Sequence, residues 1–595
     1  MIGARKAAAL LAAALLILNG VAIAEPVPVE LRKTDDGWQL LRGGEPYLIR
    51  GAGGSASMDA LAAAGANSVR TWSTDDVGDI LDEAHRHGLT VTVGIWLGHE
   101  RHGFDYRDPD QVAAQLERAR EAVLAYRDHP ALLLWGIGNE MEGFDDGDDP
   151  VIWKAVNDVA ALVKELDPHH PTMTVTAEIG GGRIEFVHQR SPAIEIHGIN
   201  SYGGASSIAE RLREGGATKP FVITEFGPVG PWEMPTTDWG APYEQTSTQK
   251  ADFYRQSYEK AVLEPAGQSL GAYAFLWGAK MEGTATWFGM LLEDGTKLGA
   301  VDAMSELWTG NPSDDPAPTI EPIVIDTEPK LEPGAILTAS TRADDRDGDD
   351  VEVYWVLRPE SGEYQTGGDF RRDLPDIEGA VVEWNNSEVK IRMPDEPGPY
   401  RLFAYAFDEA SNAATANIPL LVKGEPRPRL PVAVYEDRLE DMPWVPTGWM
   451  GDVNSLTLDG DHGDTVFEGN RAIRMRYTGR SRNWVAVAWQ HPPNNWGEQD
   501  GGFNLTGATR LEIWARGEYG GEKVEFGVGL LGRDREFKDS AIVKTRAIEL
   551  TDEWRRYDVP LDGEDLTSLK TALVVTVQGK RSPVTIYLDS IRFNR

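Results

Sequence analysis

The sequence predicts a multidomain chain: a (β/α)8 TIM barrel, then an immunoglobulin-like β-sandwich, then a β-jelly roll. Three observations predict it. Over residues 27–310, eight short apolar runs alternate with amphipathic helical stretches. Proline-rich segments, one with Pro312, Pro316, Pro318, Pro322 and Pro329 and one with Pro426, Pro428 and Pro431, then interrupt the pattern. Between and beyond them the residues alternate apolar and polar with the period of a strand.

The eight runs are 47–51, 68–72, 90–97, 131–138, 172–177, 194–200, 221–226 and 272–277. Helical patterns at 79–87, 111–126, 152–166 and 248–263 lie between them, and Pro109, Pro150 and Pro220 fall at element boundaries, where a missing N–H does least harm. Eight such units fit the size of a closed barrel, about 250 residues. A doubly wound open sheet would call for a glycine-rich phosphate loop, and Gly51-Ala52-Gly53-Gly54 lacks its spacing. Residues 31–41 read as a hairpin capping the barrel's bottom. The expected domains are a signal peptide (1–24), the barrel with its hairpin (25–310), a linker (311–330), the sandwich (331–424) and the jelly roll (425–595).

Residues 1–24 carry the marks of export. Arg5 and Lys6 precede an apolar stretch over 7–17, and Ala22-Ile23-Ala24 supplies the small residues of a cleavage site. No other apolar run reaches the roughly 18 residues of a membrane span, so the mature protein is expected to be secreted or periplasmic, without membrane insertion. The 595 residues contain no cysteine, which removes disulfides and thiol lipidation. A formal net charge of -37 disfavours nucleic acid and anionic surfaces, whereas a neutral polysaccharide or oligosaccharide is compatible with it.

In such barrels, chemistry sits at the C-terminal ends of the strands. The run 132–138 delivers Asn139-Glu140 at the end of the fourth strand, and 221–224 delivers Glu225-Phe226-Gly227 at the end of the seventh. Carboxylates behind apolar strands are costly unless they are used. Cleaving a glycosidic bond takes two of them: one protonated to assist the leaving oxygen, one ionised to attack the anomeric carbon, about 5 Å apart in a retaining enzyme.

Trp135-Gly136-Ile137-Gly138-Asn139-Glu140 and Ile223-Thr224-Glu225-Phe226-Gly227 resemble the two catalytic signatures of clan A glycoside hydrolases. The nearest likeness is to the family 2 barrel domain, with family 5 and the fungal β-1,3-glucanosyltransferases as relatives in style; it covers about residues 30–310. It implies Glu140 as acid/base and Glu225 as nucleophile, with no catalytic cofactor. It further implies Asn139 on the sugar 2-hydroxyl, Arg70 holding Glu225 ionised, Tyr202 donating to the nucleophile, and Trp277 as a platform under the sugar ring. Trp72, Trp96, His99 and Trp287 are candidates for outer subsites. Family 2 enzymes usually carry β-sandwich domains before the barrel, and here only the hairpin precedes it, which points to endo-acting or transferring chemistry.

Residues 484–490, 494–497, 511–517 and 587–591 resemble galactose-binding-like jelly rolls, many of which bind carbohydrate. Trp514 reads as core, while Trp489 and Trp496 are candidates to stack on sugar. By the same likeness Asp437 and Asp589 are candidate ligands of a structural calcium. Asp345, Asp347 and Asp349 alternate like hard-cation ligands but lack the glycine and glutamate of an EF-hand loop, and read as a solvated acidic turn. No strand end offers a histidine pair at ligand spacing: His85 and His87 lie on a helix, and His169-His170 in a turn between prolines.

The expectation is therefore an exported retaining glycoside hydrolase or transglycosidase acting on β-linked glycans, β-glucan foremost. A β-galactosidase, a β-mannanase and a non-catalytic glycan-binding protein are the alternatives.

Overall fold

The computed structural model describes residues 26–35, 37–142, 149–265, 267–360, 375–424, 430–437, 439, 442–480 and 482–595. The expected signal peptide, and Pro426 and Pro428 of the second proline cluster, lie outside them.

The eight runs form the eight parallel strands of a closed barrel. In chain order they are β4 (Ile49–Gly53), β5 (Ser68–Arg70), β6 (Thr90–Ile95), β7 (Leu132–Asn139), β8 (Thr172–Ala177), β9 (Ile196–Asn200), β10 (Phe221–Phe226) and β11 (Ser269–Ala274). Closure occurs where β11 pairs with β4. Gly271, at φ 121°, permits it: a Cβ there would lie 2.1 Å from the Ile49 carbonyl oxygen. The last strand thus runs three residues earlier than its apolar run, because Gly271 must face Ile49, and Trp277 falls beyond its end.

The helices start where their caps dictate. Pro109 and Pro150 occupy the first turn of Pro109–Tyr126 and Pro150–Leu166, and the side chains of Asp108 and Asp149 accept the free backbone N–H groups. Thr246 and Gln249 form a capping box before Ser247–Tyr258.

Below the barrel the capping element has three strands rather than two: β1 (Val29–Thr34), β2 (Gly37–Arg42) and β3 (Glu45–Pro46). Val29 and Leu40 pack with Ile49, Leu133 and Met173, sealing the lower end of the core.

The segment 311–330 is more than a linker. Thr319–Ile320 pairs with Ala343–Asp344, and Val324–Ile325 joins the sandwich through Ile336–Ser340. Pro318 and Pro322 flank these pairings, where a missing N–H breaks no ladder bond. Two four-stranded sheets follow and close on Leu337, Trp355, Ile391, Leu402 and Leu420. The sandwich docks on the barrel through buried polar contacts. Lys250 Nζ lies 2.5 Å from Glu244 Oε1, Asn417 donates to Glu244 Oε2 at 2.7 Å, and Arg401 donates to the Pro242 carbonyl at 2.9 Å.

The C-terminal domain is a second sandwich of two larger sheets around Trp444, Trp489, Phe526 and Phe593. Strand alternation corrects two expectations. In Trp484–Gln490, Val485, Val487 and Trp489 all point inward, so Trp489 is core and unavailable to a sugar. In Arg510–Gly517 the inward residues are Leu511, Ile513 and Ala515, so Trp514 faces outward, half-buried and stacked on Phe467 with ring centroids 3.8 Å apart.

Candidate active site

The strand ends that carry Arg70, Asn139, Asn200 and Glu225 converge at the barrel mouth. Glu225, at the end of β10, is buried and accepts three hydrogen bonds. Arg70 Nη1 and Trp72 Nε1 donate to Oε1 at 2.8 and 2.7 Å, and Tyr202 OH donates to Oε2 at 2.8 Å. All three contacts present donors to the carboxyl oxygens, and an ionised carboxylate, which only accepts, suits this set. Arg70 is also buried, and its guanidinium is used on both prongs: Nη1 reaches the Thr224 carbonyl at 3.0 Å and Nη2 reaches Asn139 Oδ1 at 2.7 Å.

Asn139 Oδ1 accepts a second bond from Asn200 Nδ2 at 3.2 Å. Its oxygen is thereby occupied, and what Asn139 can offer a sugar hydroxyl is its Nδ2 donors. Asn200 completes a chain between the two acids, because the same Nδ2 donates to Glu140 Oε1 at 2.8 Å. Thr224 Oγ1 donates to Asn200 Oδ1 at 2.8 Å and so fixes which way the amide points. The sequence of contacts Glu225–Arg70–Asn139–Asn200–Glu140 sets the two carboxyl groups as one unit.

Glu140 is placed differently. It follows Gly138 at the end of β7 and takes a left-handed backbone at φ 53°, which a non-glycine residue adopts at a cost of about 1–3 kcal/mol. Its N–H is tied to the Val175 carbonyl at 2.9 Å. Withdrawal from water pushes its carboxyl up to about 8, with further contributions from the negative charges of Glu225 and Glu142. The Asn200 hydrogen bond opposes the shift without reversing it. The site therefore holds one carboxyl suited to accept and one suited to keep its proton at neutral pH.

The structure gathers Glu140, Glu225, Asn139, Arg70 and Tyr202. Trp72, expected in an outer subsite, instead touches Glu225 through its indole N–H, with the Arg70 guanidinium 5.0 Å from its ring centroid. Trp277 is only 2% exposed and packs into the barrel core with Met58, Leu61 and Met290, so it presents no face to a sugar. Its position beyond the early end of β11 explains the difference. Trp287 is likewise buried, donating to the Val229 carbonyl at 3.0 Å, within a cluster of Tyr202, Phe275 and Phe288. Trp96 is half-buried and stacks on His99, centroids 4.9 Å apart. His99 reaches the wall beside Glu140.

Asn200 is not singled out by the sequence, where it reads as one polar residue closing an apolar run. Its pairing was visible only as the sixth apolar run ending in Asn, in line with Asn139 at the end of the fourth.

The two candidate calcium ligands of the C-terminal domain each accept backbone N–H groups. Asp589 Oδ2 accepts from the N–H groups of Phe467 and Glu468, and Oδ1 from Ser590. Asp437 Oδ1 accepts from Asn470 and Arg471. Asp345 Oδ1 likewise accepts from the backbone of Asp347, Gly348 and Asp349, as a capped acidic turn does.

Residues 58–251 match the TIM barrel domain of the glycosyl hydrolases family 2. The barrel is that of a clan A glycoside hydrolase. Residues 432–595 match carbohydrate binding domain 30, which gives this glycoside hydrolase barrel a carbohydrate-binding companion. One curated relative is the probable mannan endo-1,4-beta-mannosidase C of Aspergillus terreus, 26% identical over 156 residues, covering 22% of this chain. The match spans 38% of that protein's length. Among solved structures, the β-glucuronidase of Ruminococcus gnavus aligns at 14% identity with a TM-score of 0.39, covering 47% of this chain and 52% of that one. The endo-β-1,4-mannanase of Thermotoga petrophila aligns at 12% identity with a TM-score of 0.33, covering 64% and 98%.

Proposed function

We propose that this chain is an exported retaining glycosidase that cleaves β-linked glycans by double displacement. The observation that carries the reading is the unequal pair of carboxyl groups joined through Arg70, Asn139 and Asn200. Glu140, protonated, gives its proton to the glycosidic oxygen as the bond from that oxygen to the anomeric carbon breaks. Glu225 attacks the same carbon and forms a glycosyl ester. Glu140, now ionised, takes a proton from water, whose oxygen displaces Glu225 and returns the anomeric configuration to β. A sugar hydroxyl in place of that water makes the reaction a transglycosylation.

Asn139 offers its Nδ2 donors to the sugar hydroxyl next to the reacting carbon, an interaction that strengthens as positive charge develops on the ring. Arg70, Trp72 and Tyr202 hold Glu225 aimed and acceptor-ready.

A neutral β-glucan is the lead substrate, in keeping with the acidic chain. The similarity to a probable mannan endo-1,4-beta-mannosidase favours β-mannan as the second reading. The test is to incubate the full chain with soluble β-1,3- and β-1,4-glucan, β-1,4-mannan and β-1,4-galactan and size the products. Shortened chains from one glucan support the lead, and shortened mannan alone supports the second. Products longer than the starting chains identify transfer, and four intact polymers reject the reading.

A further inference from the structure

The wall of the cleft behind Glu140 is built by the barrel and backed by the C-terminal domain. After β6 the chain makes a 3-10 turn, Glu100–His102, and His99, Glu100, Arg101 and Tyr106 line a recess together with Glu140 and Met141. Glu225 does not line it. The other side of the turn packs on strand Val445–Gly451 of the C-terminal domain. Gly103 closes the turn at φ 91°, and a Cβ there would lie 3.5 Å from the Pro446 carbonyl oxygen. That carbonyl also accepts the Trp449 indole N–H at 2.7 Å. Beside it, Thr447 Oγ1 accepts the N–H of exposed Asn494 at 2.7 Å, and Asn494 Oδ1 accepts the indole N–H of half-buried Trp496 at 3.0 Å.

The acid of a glycoside cleavage must reach the oxygen that departs. A recess that contains Glu140 but not Glu225 therefore lies on the side of the leaving group, and the C-terminal domain stands directly behind it. We propose that the C-terminal domain walls the leaving-group side of the cleft, so that the part of a β-glycan chain expelled past Glu140 runs onto the surface around Thr447, Asn494 and Trp496. An amide and a partly open indole are the groups that recognise hydroxyl edges and C–H faces of sugars. The proposal rests on the glycosidase reading and adds to it which end of the substrate the second domain holds.

The absence of cysteine makes a clean test available. Asn494→Cys in the full chain provides a single thiol for a maleimide-linked polyethylene glycol. The same label at Tyr519→Cys, a position 79% exposed on the same domain, controls for bulk alone. Rates are compared on the hexasaccharide of whichever polymer the wild type shortens, and on the matching 4-nitrophenyl β-glycoside, whose leaving group is too short to reach the second domain. The expected result is a loss of at least about tenfold on the hexaose after labelling residue 494, with the aryl glycoside rate and the residue 519 control unchanged. Equal losses on both substrates, or none on either, overturn the proposal. Should Asn494→Cys not fold, Trp496→Ala carries the same hexaose-to-aryl comparison without a label. A wild-type chain that leaves β-1,3-glucan, β-1,4-glucan, β-1,4-mannan and β-1,4-galactan all intact rejects the glycosidase reading itself, and this proposal with it.

Discussion

Asn200 Nδ2 stands 2.8 Å from Glu140 Oε1 and 3.2 Å from Asn139 Oδ1, so one amide from the sixth barrel strand orients two residues at the end of the fourth. Its orientation is set in turn by Thr224, the neighbour of Glu225. This bond matters for pH. Donation to the ionised form of Glu140 works against the upward pull of burial and of the charges on Glu225 and Glu142.

The activity of the full chain is therefore expected to fall as pH rises through about 8, as Glu140 loses the proton it must donate. Asn200→Ala should move that basic limb upward while lowering the rate, and Glu142→Gln should move it downward by removing a nearby negative charge. The profile of kcat/KM against pH, measured for all three proteins, checks both directions.

Arg70 and Glu225 form a buried ion pair at 2.8 Å. Arg70→Met leaves the carboxylate without its cation, which costs about 3–5 kcal/mol when a buried pair is broken. We expect a loss of kcat of at least about a hundredfold together with a lower melting temperature, read by kinetics and calorimetry. Unchanged kcat would remove Arg70 from the machinery.

How much of this was legible in the sequence follows from where each residue's signal lies. Glu140 and Glu225 follow long apolar runs, and a carboxyl group in that setting needs a reason, so both stood out. Arg70 and Tyr202 came from the resemblance to the clan A signatures, not from the strand pattern. Asn200 came from neither, since an amide closing an apolar run carries no charge to explain. Trp277 misled because strand limits depend on which backbone can approach which: the glycine at 271 sets the register of the last strand, and periodicity cannot show that. Trp489 and Trp514 exchanged roles for a similar reason, as each depends on which parity of its strand faces inward.

A buried histidine pair should make the barrel acid-sensitive. His188 Nδ1 accepts the N–H groups of Thr218 and Lys219, so the proton resides on Nε2, which faces His197 Nδ1 at 3.0 Å; His197 Nε2 in turn reaches Thr176 Oγ1 at 2.9 Å. Burial, with the nearby Lys219, depresses His188 to about 4, against 6.5 in its ordinary state. The unfolded chain takes up the proton first, so stability is full above pH 6.5 and declines by about 3 kcal/mol as pH falls towards 4. Urea midpoints between pH 7 and 4 should show this slope, and His188→Gln should flatten it.

At the junction of barrel and sandwich, Lys250 is buried against Glu244, whose other oxygen binds Asn417 of the second domain. Lys250→Met should destabilise the chain by about 3–5 kcal/mol through the stranded Glu244 charge. The double variant Lys250→Met/Glu244→Gln should recover part of the loss, and thermal unfolding of the two variants decides it.

The most direct measurement concerns which carboxyl group attacks. Glu225→Ala is to be assayed on an aryl β-glycoside with and without sodium azide. The reading predicts turnover reduced at least about a thousandfold and partly restored by azide, with the product an α-glycosyl azide, because the anion enters from the face that Glu225 left open. Wild-type-like turnover in that variant, or a β-configured azide product, would contradict it.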